Sequence, residues 1–279
     1  MSGSPKVLIS ADLEGVSGIV HPSETNPGGY DYERGRELMT AEVNAAIAGV
    51  LAAEPSAAVL VADAHGPFRN LLPERLDRRV RLVRGKPRPL GMMAGLDGAT
   101  DAVLFVGYHA RAGAGPAVLA HTSSDALLDV RLDGRSMGEI GLNAALAGHA
   151  GAPVVLLSGD EAACAELTAL VPAALTVPVK RALGQGAAET IHPEVARERL
   201  REAAAAAVTR RGEVPPLVVP GPVRLEVDLH GPYTVDLAML VPGAERAAGG
   251  RTVAFAAADL AEAYRLVRLL VELGQIKPG

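Results

Sequence analysis

Short apolar runs alternate with helical segments over the first two-thirds of the chain. Runs that are apolar throughout are typical of strands buried on both faces of a parallel sheet, and the helices between them cover those faces. The pattern therefore predicts an α/β fold, with a mostly parallel sheet that carries helices on both faces. The predicted strands are Lys6–Ala11, Ala57–Ala62, Val80–Val83, Ala102–Val106, Leu127–Leu132, Pro153–Leu157 and Val177–Lys180. The predicted helices are Thr40–Glu54, Glu139–Ala147 and Glu161–Leu170.

The pattern changes near Pro193, which is well placed to open a helix. A long helix is predicted at residues 194–208, and Pro215 and Pro216 then break the chain. The elements predicted after this break are strands at Val223–Leu229, Val235–Leu240 and Thr252–Ala256 and a last amphipathic helix at Ala258–Leu273. We therefore expect two parts: an α/β domain of residues 1–192 and a smaller C-terminal α/β subdomain of residues 193–279 packed on it.

Composition and charge narrow the function classes. The 279 residues carry a net charge of -5, and aromatic residues make up 3% of them. A basic surface with aromatic side chains is the usual mark of a nucleic-acid binder, so no nucleic-acid partner is expected. The start of the chain does not read as a signal peptide, and no apolar stretch is long enough to cross a membrane. We therefore expect a cytoplasmic protein with no membrane partner.

Carboxylates and imidazoles follow several of the predicted strands. They are Asp12 and Glu14 after the first strand, His65 after the second, His109 after the fourth, and Glu139 at the start of a helix. The carboxyl ends of parallel strands meet at one edge of a sheet, where such folds bind ligands. Each residue alone has an ordinary explanation as a helix cap, a turn former or a loop residue. Their shared placement predicts a metal site in the catalytic domain of residues 1–192.

The types of these residues favour a pair of divalent ions. Histidine nitrogen and carboxylate oxygen are zinc ligands, and the lack of cysteine in the set argues against structural zinc. Asp12 and Glu14 are two residues apart on an extended segment, so their side chains point to the same face and one carboxylate can bridge two ions. Two such ions can polarise a carbonyl group and activate water. The residues on their own predict a metallohydrolase.

His121 follows a loop rich in glycine and alanine, Ala110–Ala120. Small residues allow a backbone to approach a substrate closely. Beside a metal site, a histidine at this position is the candidate catalytic residue. It could serve as a proton donor, as a hydrogen-bond donor to the transition state or as a nucleophile. Without the neighbouring ligands, it would be interpreted as an ordinary loop histidine.

Several motifs in this chain resemble those of the zinc-dependent D-aminopeptidase family associated with dipeptide-permease operons. They are Ile9-Ser10-Ala11-Asp12-Leu13-Glu14-Gly15-Val16-Ser17-Gly18, Tyr32-Glu33-Arg34-Gly35-Arg36, Asp63 with His65, Gly107-Tyr108-His109-Ala110-Arg111, and Gly138-Glu139-Ile140-Gly141-Leu142-Asn143-Ala144. The motifs have the family's order and similar spacing. The resemblance extends from the first strand to the last helix.

The resemblance implies a cytoplasmic peptidase with two zinc ions, assembled into a ring-shaped homo-oligomer, a homodecamer. It also implies roles for single residues. Asp12 would bridge both ions, Glu14 and His109 would complete the shell of one ion, and His65 and Glu139 that of the other. His121 matches the family's catalytic histidine, although its loop is about one residue longer here than in the family pattern.

The expected function is therefore hydrolysis of short peptides by a dinuclear-metal aminopeptidase, through metal-activated water. Peptides with an N-terminal D-amino acid are among the expected substrates. One alternative is a metallohydrolase of another amide or of a phosphoester. The other is a non-catalytic peptide-binding protein linked to a transporter, in which the metal is structural.

Overall fold

A seven-stranded sheet forms the centre of the computed structural model, which describes residues 4–247 and 249–276. The strands of this sheet are β1 (Lys6–Ala11), β2 (Ala58–Asp63), β3 (Arg81–Val83), β4 (Ala102–Tyr108), β7 (Val154–Asp160), β8 (Leu175–Gly184) and β9 (Ala187–Thr190). Their order is β3-β2-β1-β4-β7-β8-β9, and every neighbouring pair is parallel except the β8–β9 hairpin. The predicted α/β fold with a mostly parallel sheet is confirmed.

Helices cover this sheet on both faces. The helices of the described residues are α1 (Pro22–Thr25), α2 (Tyr32–Ala53), α3 (Glu139–His149), α4 (Glu161–Leu170), α5 (Pro193–Thr209), α6 (Pro232–Ala238) and α7 (Leu260–Gly274). The crossovers from β1 to β2 and from β7 to β8 run in opposite directions along the sheet. Because such crossovers are right-handed, their helices α2 and α4 lie on opposite faces. Helix α5 packs beside α2, and α3 packs beside α4.

A second, five-stranded sheet is antiparallel throughout. Its strands are β5 (Leu127–Leu132), β6 (Arg135–Ser136), β10 (Val223–Leu229), β11 (Glu245–Arg246) and β12 (Thr252–Ala257), in the order β11-β12-β10-β5-β6. Asp133 and Gly134 join β5 to β6 with φ angles of 50° and 80°, the pattern of a tight hairpin turn. Helix α7 packs on β10 and β12 and also on α3, which fastens the second sheet to the first.

Strands on both sides of residue 193 contribute to the second sheet, since β5 pairs with β10. Helix α5, which follows residue 193, packs instead on α2 of the first sheet. The division of the chain into residues 1–192 and 193–279 stays a prediction. The two parts do not correspond to the two sheets, because the second sheet contains strands from both.

Two predicted elements differ from the structure. The strand predicted at Val235–Leu240 is wrong, because these residues lie largely in α6, which begins at Pro232 as the first helical residue. Helix α2 begins at Tyr32 instead of Thr40, and Gly35 lies inside it. A Cβ atom at Gly35 would lie 2.2 Å from the carbonyl oxygen of Glu24, so this glycine permits close packing and does not end the helix.

No helix in the described ranges is long and apolar enough to cross a membrane.

Candidate metal centre

The carboxyl edge of the parallel sheet gathers the predicted ligands. Asp12 directly follows β1, His65 follows β2 and His109 directly follows β4, while Glu139 is the first residue of α3. Together with Glu14 and His121 they line one pocket of about 490 Å³. The structure thus brings all six predicted site residues together. Except for His121, they are buried: Asp12, Glu14, His65, His109 and Glu139.

Two glycines allow the loop after β1 to lie against the end of β4. The amide of Gly15 donates a hydrogen bond of 2.8 Å to the carbonyl oxygen of Gly107. A Cβ atom at Gly15 would lie 1.9 Å from the carbonyl oxygen of Tyr108, which no side chain could tolerate. Gly107 has a φ of 71°, and a Cβ there would lie 2.4 Å from the carbonyl oxygen of Asp12. This approach brings Asp12 and His109 into one site.

Asp12 occupies the middle of the cluster. Its Oδ1 lies 3.1 Å from Nδ1 of His65, and its Oδ2 lies 3.5 Å from Nε2 of His109. On one side, Oε2 of Glu14 is 2.8 Å from Nδ1 of His65. On the other side, Oε1 of Glu139 is 3.4 Å from Nε2 of His109. The two oxygens of Asp12 therefore face two different groups of possible ligands.

Three groups of donor atoms lie within 4.8 Å of one another: Asp12, Glu14 and His65; Asp12, His109 and Glu139; and Glu14, His109 and His121. The family resemblance implied another division, with His65 and Glu139 on the same ion. The geometry does not place those two side chains in one group. The shorter distances join His65 to Glu14 and His109 to Glu139, so they favour a different division, and the assignment of ligands to each ion stays a prediction.

Backbone carbonyls fix which nitrogen of each histidine faces the cluster. The opposite ring nitrogen lies within hydrogen-bond distance of a carbonyl oxygen: Nε2 of His65 with Thr25 at 2.9 Å, Nδ1 of His109 with Ala110 at 2.9 Å, and Nδ1 of His121 with Leu119 at 2.8 Å. A carbonyl only accepts, so each of these nitrogens carries the proton. In a neutral imidazole the other nitrogen then offers a lone pair to the cluster, as in metal-ligating histidines.

A cation fits this arrangement. In the described part of the chain, Oε2 of Glu14 is buried and has no hydrogen-bond partner, although it is 2.8 Å from the ring nitrogen of His65. An anionic oxygen and a nitrogen lone pair repel at this distance unless a metal ion or a proton lies between them. Carboxylate oxygen with imidazole nitrogen, without thiolate, is a donor set for zinc in a catalytic site.

Without a metal, protons would take this place. Burial lowers the pKa of His65, but the charges of Glu14 and Asp12 outweigh it and hold that pKa well above its usual value. The pKa of His109 is raised in the same way, chiefly by the charge of Glu139 against the effect of burial. Burial, with the nearby charge of Glu14, raises the pKa of Asp12 to about 7. A metal ion must therefore displace protons to bind here.

His121 lies at the open side of the cluster. Its side chain is 26% exposed, and its ring stacks on that of His109 with centroids 4.1 Å apart. Its Nε2 is 3.8 Å from Oε1 of Glu139. Leu119 and Ser123 on either side of it have φ angles of 52° and 59°, a left-handed conformation that is uncommon outside glycine. Unfavourable backbone conformations of this kind are often found at functional sites.

Sequence reasoning missed two parts of the site. The buried ammonium of Lys180 on β8 donates to the carbonyl oxygens of Glu14, Val16 and Ile19 and so holds the loop that carries Asp12 and Glu14. A lysine at the end of an otherwise apolar run was a visible signal of a buried charge. The carbonyl of Thr25 that orients His65 left no signal in the sequence, since any residue carries one.

The fold and the site together define the class of metal-dependent hydrolases. The carboxyl edge of the sheet presents carboxylates and imidazoles to a pocket, as this class requires.

Comparisons with known proteins refine this class. The family model of the D-aminopeptidases matches residues 6–269. A D-aminopeptidase of Bacillus subtilis (strain 168) is 35% identical over 268 residues, which cover 96% of this chain and 97% of that protein. The solved structure of the Zn-dependent D-aminopeptidase DppA from Bacillus subtilis, a self-compartmentalizing protease, is 34% identical, with a TM-score of 0.95 over 98% of this chain and 99% of its own.

The chain therefore belongs to the D-aminopeptidase family. The predicted family is confirmed, and so is the predicted enzyme class, a metallo-aminopeptidase that hydrolyses peptides.

Proposed function

We propose that this aminopeptidase holds two zinc ions with Asp12, Glu14, His65, His109 and Glu139. The observation that carries the proposal is the position of Asp12, whose two oxygens face His65 on one side and His109 on the other. Glu14 then completes the first group and Glu139 the second. A similar protein is Zn-dependent, which supports zinc as the ion. When bound, zinc polarises a carbonyl group and lowers the pKa of water.

His121 is the proposed catalytic residue. Its Nδ1–H is held by the carbonyl of Leu119, so its Nε2 points toward Glu139 and the pocket. When Nε2 also carries a proton, the imidazolium can donate a hydrogen bond from there to the oxyanion that develops on the scissile carbonyl, or pass that proton to the leaving amine. Both roles need the partial exposure that His121 has and the five proposed ligands lack.

The proposed substrates are short peptides, including those with an N-terminal D-amino acid. The pocket of about 490 Å³ is lined by both polar and apolar side chains, which suits a small peptide. We also propose that the chain assembles into a ring-shaped homo-oligomer, a homodecamer. Support comes from the similar Bacillus subtilis protein, which is a self-compartmentalizing protease. A location in the cytoplasm stays a prediction.

Metal analysis combined with a matched substrate pair tests the proposal. We expect two zinc ions per chain, and hydrolysis of D-alanyl-D-alanine, of L-alanyl-L-alanine or of both that is lost on chelation and restored by zinc. A stoichiometry of one ion would overturn the dinuclear site. Activity that survives complete chelation would overturn the role of the metal. A panel with simple amides and aryl phosphates completes the test, since faster turnover of either would shift the substrate class.

A further inference from the structure

Two cationic side chains line the same pocket as the proposed zinc ligands. They are Lys86, in the segment after β3, and Arg268, on α7. The other charged residues of the pocket wall are carboxylates: Asp12, Glu14, Asp125, Glu139 and Glu272. Zinc ions would offset the charges of Asp12, Glu14 and Glu139, but Asp125 and Glu272 would still repel the C-terminal carboxylate of a peptide unless cations compensate them nearby. The two cations are therefore candidates for binding the C-terminal carboxylate of a peptide.

Arg268 has hydrogen-bonding capacity that the fold does not use. Within residues 4–247 and 249–276 its guanidinium makes no hydrogen bond, and its nearest carboxylate oxygen, on Glu272, is 3.6 Å away. Its side chain is 22% exposed. The nearby Arg88 is different, because its guanidinium donates to the carbonyl oxygens of Asp63, Val83 and Gly91. The guanidinium of Arg88 thus donates its hydrogen bonds within the fold, whereas the guanidinium of Arg268 is available to bind a ligand.

The stem of Arg268 is nevertheless held in place. Its Cδ and Nε pack close to Gly91, and its guanidinium carbon lies 5.9 Å from the centre of the Phe68 ring. Arg268 and Glu139 also line a second, small cavity of about 10 Å³. The arginine and this proposed zinc ligand therefore line the same two cavities. Because the shared pocket has a volume of about 490 Å³, it suits a short peptide that reaches from the metal centre to Arg268.

We propose that Arg268, with Lys86 on the wall of the same pocket, binds the C-terminal carboxylate of a short peptide whose N-terminal residue lies at the metal centre. The proposal rests on the proposed function and narrows its substrate class to short peptides with a free C-terminal carboxylate. A guanidinium recognises a carboxylate through two parallel hydrogen bonds, which fixes the orientation of the ligand as well as its charge. This contact would place the first peptide bond, and not a later one, at the zinc ions.

The test compares a dipeptide with its C-terminal amide in the zinc-loaded protein. D-Alanyl-D-alanine and D-alanyl-D-alaninamide differ in charge at the group that Arg268 would bind. In Arg268→Met, which keeps a long apolar stem against Gly91, we expect kcat/KM for the free acid to fall about 10- to 100-fold, mostly through KM. The value for the amide should change less than about twofold. Arg265→Met is the matched control, because Arg265 is exposed on the same helix and does not line the pocket.

Binding separates this proposal from the proposed function. Calorimetry in the His121→Ala background measures the affinity for the free acid and for the amide without turnover. Arg268→Met in that background should weaken binding of the acid alone. Equal losses for acid and amide, or no loss for either, would overturn the carboxylate site even if the enzyme is active. If the wild-type chain cleaves no peptide, the proposed function fails, and the binding comparison still decides the role of Arg268. Should Arg268→Met lose zinc or unfold, Arg268→Lys, which keeps the charge and loses the paired hydrogen bonds, is expected to show an intermediate preference for the acid.

Discussion

Two loops deliver side chains to the same pocket but are held in different ways. The Asp12 loop, residues 12–19, supplies Asp12 and Glu14 and is almost wholly buried. The His121 loop, residues 110–123, supplies His121 and is partly exposed along much of its length. Metal ligands need a fixed geometry, whereas a group that acts on substrate must be reached from solvent. The difference between the loops indicates which residues hold the metal and which one reacts.

The Asp12 loop is fixed by buried charges. Lys180 donates to three of its carbonyl oxygens, and Oε1 of Glu42 accepts a hydrogen bond of 2.8 Å from the amide of Ser17. Both charged side chains are buried, at 3% and 1% exposure. Burial of an ionised side chain has a high desolvation cost, and the hydrogen bonds to the backbone of the loop offset it. A displacement of this loop would disturb both carboxylate ligands together.

The His121 loop has fewer anchors, and most of them lie near the histidine. The amide of Val118 donates to Asp160, and the amide of Leu119 donates to the backbone oxygen of Gln185 in the β8–β9 turn. The side chain of Gln185 donates in turn to the carbonyl of Ala120 over 3.2 Å. The residues from 111 to 116 are half-buried or exposed. A loop of this kind can adjust to a substrate while its anchored end keeps the histidine in place.

The largest contrast should come from removing one side chain from each loop. Asp12→Ala deletes the carboxylate that faces both ligand groups, so we expect zinc and activity to be lost together. His121→Ala should lower kcat about 10²- to 10⁴-fold, as for a residue that transfers a proton, and should keep its zinc. Metal content and steady-state kinetics of both variants measure this.

A neighbouring carboxylate serves as the control for this pair. Asp125 lines the same pocket but belongs to none of the ligand groups, so Asp125→Ala should keep its zinc. Loss of zinc from His121→Ala would contradict the comparison, because it would make the exposed loop part of the metal site.

Removal of the ammonium beneath the Asp12 loop should have the next largest effect. Lys180→Met leaves three buried carbonyl oxygens without their donor, so we expect the free energy of unfolding to fall by about 4 kcal/mol. Zinc should also bind more weakly, because the backbone of Glu14 loses its support. Denaturant unfolding and zinc titration measure the two effects. Arg181→Met is the control, since Arg181 is exposed on the same strand and makes a surface ion pair. A Lys180 variant as stable as this control would show that the Lys180 ammonium does not stabilise the Asp12 loop.

Glu42 should make the stability of the Asp12 loop depend on pH. Burial raises the pKa of Glu42 to about 7, and the Ser17 hydrogen bond and the charge of Lys180 lower it only in part. In the unfolded chain that pKa returns to near 4.5, so the unfolded state loses its proton first as the pH rises. The contribution of protonated Glu42 to the free energy of unfolding is therefore fully present below about pH 4.5, and it is lost as the pH rises to about 7. The loss is about 3 kcal/mol.

Comparison with Glu42→Gln isolates this titration. Glutamine can accept the same hydrogen bond from Ser17 but does not ionise in this range. Unfolding free energies of both proteins, measured between pH 4.5 and pH 7, should diverge, with the wild-type protein losing stability relative to the variant. If the two unfolding free energies changed in parallel with pH, water or a structural rearrangement would be compensating for the burial of the Glu42 carboxylate.

Some features of the fold and of the site could be predicted from the sequence, and others could not. Asp12, His65 and His109 could be predicted as site residues because each follows an apolar strand whose end is readable from local pattern. The division of the ligands into groups depends on distances across the sheet edge and has no local signature. The same holds for the second sheet: the pairing of β5 with β10 joins segments far apart in the chain. The left-handed backbone at Leu119 was equally invisible, since leucine rarely adopts it.

The smallest expected effect concerns the anchor of the His121 loop. Gln185→Ala removes one partly exposed hydrogen bond to Ala120, while the backbone oxygen of residue 185 still accepts from Leu119. We expect stability to fall by about 1 kcal/mol or less, with kcat reduced a few-fold and zinc content unchanged. Glu189→Ala, an exposed change on the same hairpin, should leave kcat as it is. A drop in kcat without loss of zinc would show that the position of His121 is tuned from β8 and β9 independently of the metal ligands. An unchanged kcat would mean that the backbone contact and Asp160 are sufficient to hold the loop.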